Sequence, residues 1–231
     1  MRRIGVVVPA HNEEDHLGRC LEALLTATRR AGVPVGIVVV LDDCTDGTAA
    51  VCRRFPVAAV RIEARSVGRA RHAGAMAVLA GEADPTTVWL ANTDADTVIP
   101  PHWLADQVRL ADRGADAVAG IVALPRPTGH PVAAAFDAHY RRRLGPGDAH
   151  RHVHGANLGV RASAYLRVGG FAPLRAHEDR QLLAQLEAEP AVSVVRSRSL
   201  AVETSDRLSG RCREGFAATL LALSEASVPA A

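Results

Sequence analysis

Lysine is absent from this chain of 231 residues, and all 27 basic side chains are arginine. A P-loop needs a lysine that reaches the phosphates of its nucleotide, so the absence excludes P-loop NTPases. The first apolar run is followed by Pro9-Ala-His-Asn-Glu-Glu14, which lacks the glycine-rich fingerprint of a Rossmann dinucleotide site. The glycine-rich loop of nucleotidylyltransferases is missing there too. With a formal net charge of only +2, we expect no nucleic-acid partner.

Cysteine pairs and long apolar runs are also missing. The four cysteines show no C-x-x-C spacing, so neither a zinc knuckle nor a redox pair is indicated. No apolar run approaches the roughly 20 residues of a membrane span, and the run that leads into Pro9 is too short for a signal peptide. The sequence therefore predicts a cytoplasmic protein whose membrane contact, if it has any, is peripheral and at the inner face.

Length and composition predict one α/β domain, because 48% apolar content in a chain of this size suits a single core. Valine- and isoleucine-rich runs alternate with helical patterns, which is typical of βαβ units in a mostly parallel sheet. The predicted strands are 4–8, 35–41, 57–62, 88–91 and 116–123. The predicted helices between them are 14–30, a segment from Thr45 that Thr45 or Asp46 can cap, 67–80, and a segment opened by Pro100 or Pro101.

The second half of the chain departs from this alternation. Its pattern predicts a helix at 132–143, a loop rich in glycine and histidine, a strand at 153–160, helices at 163–168 and 178–189, strands at 192–195 and 199–202, and a last helix from Gly210. The clustered histidines His139, His150, His152 and His154 match no standard metal-ligand spacing. They predict a flexible acceptor loop.

Asp94 and Asp96 follow directly on the apolar run at 88–91. Carboxylates spaced i, i+2 after a strand end can turn toward one hard cation, and Mg²⁺ and Mn²⁺ prefer oxygen ligands. The alternative is a solvated turn, because aspartate bonds its own backbone in turns.

Polar residues also follow the other predicted strands of the first half, at 9–14 and 42–47. In a mostly parallel sheet, ligands bind outside the carboxyl ends of the strands. A cleft lined by carboxylates repels a diphosphate unless a divalent cation lies between them, or unless the carboxylates accept hydrogen bonds from a base and a ribose. Arg69 and Arg71 can supply further positive charge, since arginine matches phosphate oxygens in a fork geometry.

Taken in order, these strings resemble family 2 glycosyltransferases of the GT-A fold. The resembling strings are Pro-x-x-Asn-Glu-Glu from Pro9, Asp-Asp-x-Thr-Asp-Gly-Thr from Asp42, Gly68-Arg-Ala-Arg71 with Gly74, the Asp94 and Asp96 string, Gly155-Ala-Asn157 with Arg161, Gly169-Gly-Phe171, and His177-Glu-Asp179. The resemblance covers about residues 3–220. It implies a Rossmann-like, mostly parallel sheet flanked by helices, with a donor-binding half at about 1–124 and a smaller, mixed acceptor and catalytic half at about 125–231.

The resemblance implies a role for each string. Asp96, with Asp94, would hold Mg²⁺ or Mn²⁺ on the donor diphosphate. Asp179, next to Glu178, would be the general base that deprotonates the acceptor hydroxyl, which gives inversion at the anomeric carbon. The residues implied in nucleotide-sugar binding are Pro9, Ala10, His11, Asn12, Glu13, Asp43 with Asp42 as its alternative, Gly68, Arg69, Arg71, Asp94 and Ala95. Those implied on the acceptor side are Gly155, Ala156, Asn157 and His177.

Structural roles remain as alternatives for several of these carboxylates. Glu13 and Glu14 also suit a helix N-terminus, and Asp46 and Asp179 also suit helix caps. The chain departs from the family pattern where His72 replaces a frequent asparagine. No histidine follows His177 as a further metal ligand.

Arg207 and Arg211 are candidate phosphate contacts, with surface solvation as the alternative. The Q-x-x-R-W string of processive synthases is missing, so a single transfer is expected. The predicted function is metal-dependent, inverting transfer of one sugar from a nucleotide-diphosphate sugar to a small-molecule or lipid-linked acceptor, by a protein that can form a homodimer. Two alternatives remain: a retaining GT-A enzyme of the glucosyl-3-phosphoglycerate synthase type, and a non-catalytic sugar-nucleotide-binding protein.

Overall fold

The computed structural model of the protein describes residues 1–127, 132–148, 150–208 and 215–226. Eight strands within these ranges form one sheet. In chain order they are β1 (Arg3–Ala10), β2 (Val35–Asp42), β3 (Ala58–Ile62), β4 (Val88–Asn92), β5 (Thr97–Val98), β6 (Ala117–Ala123), β7 (Leu158–Arg161) and β8 (Val194–Thr204). Their order across the sheet is β3-β2-β1-β4-β7-β6-β8-β5.

Eight α-helices are described as well, together with 3₁₀ turns at Pro85–Thr87 and Gly155–Asn157. In chain order the helices are α1 (Leu17–Thr28), α2 (Thr48–Cys52), α3 (Val67–Leu79), α4 (Trp103–Asp112), α5 (Ala133–Arg141), α6 (Ala162–Arg167), α7 (Glu178–Ala188) and α8 (Phe216–Ala226). Among these residues, no helix has the length and apolar character needed to cross a membrane.

Strand direction divides the sheet into two parts. Strands β3, β2, β1 and β4 pair in parallel, and β6 pairs in parallel with β8. Strand β7 lies antiparallel to both β4 and β6, and the short β5 lies antiparallel to β8. This α/β fold, with a mostly parallel sheet flanked by helices and a smaller mixed part, confirms the fold class predicted from the sequence.

Helices cover both faces of the parallel strands, which explains their continuously apolar sequences. On β1, Val6 and Val8 pack with α1 and α4, while Val7 packs on the opposite face with α3 and α7. Helix α3 approaches the sheet closely because Gly74 has no side chain: a Cβ there would lie 2.4 Å from Val7 Cγ1. The two cores hold the carboxyl ends of β1 and β4 side by side.

Several predicted boundaries are wrong. Helix α1 begins at Leu17, three residues later than predicted, and α2 begins at Thr48, where Asp46 accepts a hydrogen bond from the Thr48 N–H. The strand predicted at 153–160 begins only at Leu158, after a 3₁₀ turn. The two strands predicted at 192–195 and 199–202 are one strand, β8. The predicted start of the last helix at Gly210 lies outside the described residues.

Candidate active site

The carboxyl ends of β1 and β4 open onto one cavity of about 820 Å³. Its far wall is formed by the segment that follows α5, by the start of α7 and by α8. A volume of this size is typical of small-molecule and cofactor sites. Most of the residues singled out from the sequence line this cavity, namely Pro9, His11, Asn12, Glu13, Arg71, Asp94, Ala95, Asp96, Gly155, Ala156, His177, Glu178, Asp179 and Arg207.

The side chain of Arg71 contacts both Asp94, from the predicted donor site, and Glu178, from the predicted catalytic motif. This side chain is buried on α3; Nη2 donates to Asp94 Oδ1 at 2.5 Å and Nε donates to Glu178 Oε1 at 3.1 Å. Burial alone would lower the pKa of Arg71, but the carboxylates of Asp94 and Glu178 outweigh it and raise that pKa, so the guanidinium stays charged. Glu178 is itself buried, and it therefore holds Arg71 in place rather than standing free in the cavity.

Arg207 forms a second ion-pair cluster, with Glu13 and Asp96. Its Nη1 and Nη2 donate to the two carboxylate oxygens of Glu13 at 3.0 and 2.7 Å, and Nη2 also lies 2.9 Å from Asp96 Oδ2. Burial, followed by the charge of Asp94, raises the pKa of Asp96 to about 6, although Arg207 acts in the opposite direction. A carboxylate that is costly to ionise in this way gains from added positive charge.

A divalent cation at Asp94 and Asp96 would find few protein ligands. Across the described part of the chain, no three histidine, cysteine or acidic side chains are grouped closely enough to hold a metal ion. Mg²⁺ is usually bound by one or two carboxylates together with substrate phosphates and water. Two aspartates at the rim of an open cavity fit such an ion, provided that it is held largely by a diphosphate.

Asp179 lies in the first turn of α7 and is held by backbone donors. Its Oδ2 accepts from the N–H of Gly155 at 2.7 Å, and its Oδ1 accepts from the N–H of Arg180 at 2.8 Å. Each carboxylate oxygen has a second lone pair, which these bonds leave available. His177, the residue before α7, has a φ of +64°, a left-handed conformation that turns the chain into the helix.

Gly155 is required by the close approach of Arg71. A Cβ at position 155 would lie 2.4 Å from Arg71 Nη2, and that guanidinium is fixed between two carboxylates. We expect Gly155→Ala to displace Arg71 and to lower the free energy of unfolding by about 1–3 kcal/mol, the usual cost of overpacking. Urea unfolding measures the change. Gly36→Ala is the matched control, since nothing lies within 4 Å of its Cβ position; equal losses in both variants would contradict the argument.

Asp42 was the predicted alternative to Asp43 as a nucleotide-sugar contact, but its position does not suit that role. Its side chain is fully buried, and its carboxylate accepts from the backbone N–H groups of Ala64, Arg65 and Ser66 at 2.8, 2.8 and 2.9 Å. Asp42 therefore fixes the loop that leads into α3. Asp43 pairs with Arg65 at 2.6 Å, and it is not among the residues that line the cavity.

Other predicted contacts also have structural partners. The side-chain NH₂ of Asn157 donates to the carbonyl groups of Ile121 and Leu200, and its oxygen accepts from Trp103 Nε1, so it is not an acceptor contact. A Cβ at Gly68 would lie 2.1 Å from the carbonyl oxygen of Ala172, which makes this glycine a packing residue. Arg69 is exposed and Ala10 is buried, and neither lines the cavity. Arg211 lies outside the described residues.

The histidine-rich segment is packed, in contrast to the predicted flexible loop. His150 and His152 are 3% and 4% exposed, and His152 stacks on Tyr140 with ring centroids 3.5 Å apart. His152 Nε2 donates to the carbonyl oxygen of Tyr140 at 3.0 Å. Burial lowers the pKa of His152 to about 4, so this ring is neutral at pH 7.

Three cavity-lining arginines were not identified from the sequence. Arg143 ends the basic run Arg141-Arg-Arg143, and Arg175 and Arg180 flank the His177-Glu-Asp179 string. Their nearness to that string is the one sequence signal that pointed to the last two.

Comparison with known proteins identifies a matching family. The profile described as Glycosyl transferase family 2 matches residues 5–168. No curated protein matches the chain.

Solved structures share the fold at low identity. A mannosyltransferase from Pyrobaculum calidifontis in complex with GDP-Man and Mn²⁺ is 21% identical, with a TM-score of 0.65 over 88% of this chain and 57% of its own. TarS 1–349 from S. aureus in complex with UDP-GlcNAc is 14% identical, with a TM-score of 0.64 over 100% and 68%. Glucosyl-3-phosphoglycerate synthase from Mycobacterium tuberculosis, in complex with Mn²⁺, UDP and glucosyl-3-phosphoglycerate, is 20% identical, with a TM-score of 0.61 over 100% and 82%. The chain thus spans less than two thirds of the mannosyltransferase.

Proposed function

Because the chain belongs to glycosyl transferase family 2, we propose that it transfers one sugar from a nucleotide-diphosphate sugar to an acceptor hydroxyl, with inversion and with the help of Mg²⁺ or Mn²⁺. The family predicted from the sequence is confirmed, and the chain is a glycosyltransferase. One observation carries the rest of the proposal: a single cavity holds paired carboxylates, an arginine within reach of them, and a backbone-held aspartate. We propose further that residues 1–231 form one domain, with donor binding in about 1–124 and acceptor binding and catalysis in about 125–231.

The donor is proposed to lie along the carboxyl ends of β1 and β4, against Pro9, His11 and Asn12. Its diphosphate is proposed to lie beside Arg207, Asp94 and Asp96. A bound divalent cation would neutralise the charge that develops on the leaving diphosphate. Arg207 now pairs with Glu13 and Asp96, and a phosphate oxygen would replace one of these carboxylates as its partner.

Asp179 is proposed to act as the general base. It takes the proton of the acceptor hydroxyl as that oxygen bonds to the anomeric carbon. The bond between this carbon and the diphosphate oxygen breaks, and the nucleoside diphosphate leaves with the electron pair. A single displacement of this kind inverts the anomeric centre. The backbone donors at Gly155 and Arg180 orient the carboxylate, which supplies part of the advantage of a fixed geometry.

The donor can be identified by thermal shift with UDP, GDP, CDP and dTDP, each with and without Mn²⁺. We expect one nucleotide to stabilise the protein, and to do so only with the metal. A ligand at 100 times its Kd adds about 2.7 kcal/mol to the free energy of unfolding. The nucleoside monophosphate of the same base is the matched control, since it lacks the second phosphate. Stabilisation by none of the four, or equal stabilisation by the monophosphate, would contradict the proposed site.

A retaining reaction is the second candidate, favoured by the likeness of the fold to glucosyl-3-phosphoglycerate synthase. The two reactions differ in the anomer of the product, which NMR spectroscopy determines directly. A non-catalytic binding protein would neither transfer the sugar nor hydrolyse the donor in the presence of metal. A cytoplasmic location and a homodimer remain part of the proposal, and fractionation and light scattering test them.

A further inference from the structure

The charges that line the cavity are unevenly distributed. Its acidic side chains are Glu13, Asp94, Asp96, Glu178 and Asp179, and its arginines are Arg71, Arg143, Arg175, Arg180 and Arg207. At the donor end, Arg207 pairs with two carboxylates and Arg71 pairs with two others. At this end four carboxylates outnumber two arginines, and both arginines are already paired before any substrate arrives.

The opposite end carries unpaired positive charge. Arg143 and Arg180 line the cavity there. In the described ranges, their guanidinium groups make no hydrogen bond and no ion pair, and the acidic lining residue outside the ion pairs of the donor end is Asp179. Like charges at one rim repel each other, and an anion placed between them relieves that repulsion.

Both arginines contribute positive charge near the same imidazole, although they belong to different parts of the chain. Arg143 follows α5, whereas Arg180 lies on α7. The pKa of His154 is lowered to about 3, first by burial and then by neighbouring positive charges that include those of Arg180 and Arg143. His154 Nε2 lies 2.9 Å from the Tyr140 hydroxyl, and its ring meets the Phe216 ring edge to face at 5.9 Å. Arg143 and Arg180 therefore line the same cavity as this uncharged imidazole.

We propose that the acceptor carries an anionic group, a phosphate monoester or a carboxylate, which binds between Arg143 and Arg180. Arginine forks match both groups in geometry and form charge-assisted hydrogen bonds with them. Because Asp179 and Arg180 line the same cavity, an acceptor anchored in this way can present its hydroxyl to the proposed base. The acceptor role of this end rests on the proposed function, whereas the binding of an anion between the two arginines does not.

The test measures anion binding in the absence of nucleotide. Glycerol 3-phosphate and glycerate are titrated by calorimetry, with glycerol as the uncharged probe. The wild type is compared with the double variant Arg143→Gln and Arg180→Gln. Arg141→Gln is the matched control, because Arg141 is exposed on the same helix end and does not line the cavity. We expect at least one anion to bind, glycerol not to bind, and the double variant to bind the anion at least about tenfold more weakly, the loss expected for charge-assisted hydrogen bonds.

Three outcomes would overturn the inference: no anion binds, the double variant binds as the wild type does, or Arg207→Gln loses binding while the double variant keeps it. The last outcome would place the anion at the donor end. Melting temperatures of all variants control for folding, and the exposed side chains make unfolding unexpected. Nucleoside diphosphate binding is measured in parallel, so a protein that binds nucleotide but no anion refutes this inference and leaves the proposed function standing.

A second arm distinguishes a soluble acceptor from a lipid-linked one. Vesicles that contain phosphatidic acid, whose head group is a phosphate monoester, are compared with vesicles of phosphatidylcholine in sedimentation assays with the same variants. Binding of the soluble phosphate ester alone supports a small-molecule acceptor. Binding to anionic vesicles that disappears in the double variant supports an acceptor phosphate carried by a lipid.

Discussion

Replacing Asp96 by alanine is expected to lower the rate of metal-dependent sugar transfer by about 10²–10³-fold, the effect of losing several kcal/mol of charge stabilisation on the leaving diphosphate. Asp96 is the carboxylate for which added positive charge matters most, because burial and Asp94 make its ionised form costly. The fold should tolerate the change, since Arg207 keeps both hydrogen bonds to Glu13. Initial rates with Mn²⁺, and circular dichroism melting curves, measure the two effects.

Asp106→Ala is the matched control for this variant. Asp106 is also an ion-paired aspartate, bonded to Arg109 on α4, and it does not line the cavity. Its loss should leave transfer within about twofold of the wild type, the range of surface changes of ±0.5 kcal/mol. The proposed metal role fails if EDTA leaves wild-type transfer intact while Arg207→Gln abolishes it. Arg207 would then neutralise the diphosphate in place of a cation.

The parallel half of the sheet was predictable because its strands are buried on both faces. The run at 35–41 is apolar without alternation, and it forms β2 almost as predicted. Strand β5 was not predictable. It has two residues, Thr97 and Val98, and it exists through its pairing with Thr204 and Glu203, more than 100 positions later. No local pattern carries a contact of that kind.

The error in β8 has a different cause. Polar residues at 196–198 interrupt the apolar pattern, and the sequence therefore predicts two strands. In the structure these residues have polar partners: Arg196 pairs with Glu187, and Ser197 bonds Asp148. The strand continues past them and pairs with β6 on both sides of a register shift. Side chains from distant segments thus provide polar partners within the strand for Arg196 and Ser197. A prediction from the local pattern does not include these partners, and it therefore interrupts the strand there.

The site was predictable where strand geometry alone decides position. Because parallel strands end at one edge of the sheet, Pro9, Asp94 and Asp96 meet as expected. Strand geometry does not predict whether Asp42 or Asp43 faces the ligand. Asp42 is turned away because its carboxylate accepts hydrogen bonds from the backbone N–H groups of the loop at 64–66. The ion pair between Arg207 and Glu13 joins residues 194 positions apart, and the sequence alone does not predict that contact.

Asp179→Asn is expected to reduce turnover by about 10²–10⁴-fold, the usual contribution of a general base. The amide has the size of the carboxylate but cannot take the acceptor proton. It also cannot accept from both backbone donors, because Asn has one oxygen while the N–H groups of Gly155 and Arg180 need two acceptors. A modest fall in stability, of about 1–3 kcal/mol for one unsatisfied donor, should therefore accompany the loss of turnover. Donor affinity should not change.

Comparison with Asp179→Ala separates the base from the structural anchor. Alanine removes both backbone contacts, so it should destabilise the protein more than asparagine does, yet neither variant has a base. If Asp179 acts as the base, the two variants lose turnover to a similar extent although their melting temperatures differ. If it is only an anchor for Gly155 and the start of α7, the loss of turnover follows the loss of stability and disappears when both variants are assayed well below their melting temperatures. Near wild-type transfer by the asparagine variant would place the base elsewhere, or would indicate the retaining reaction, which needs none at this position.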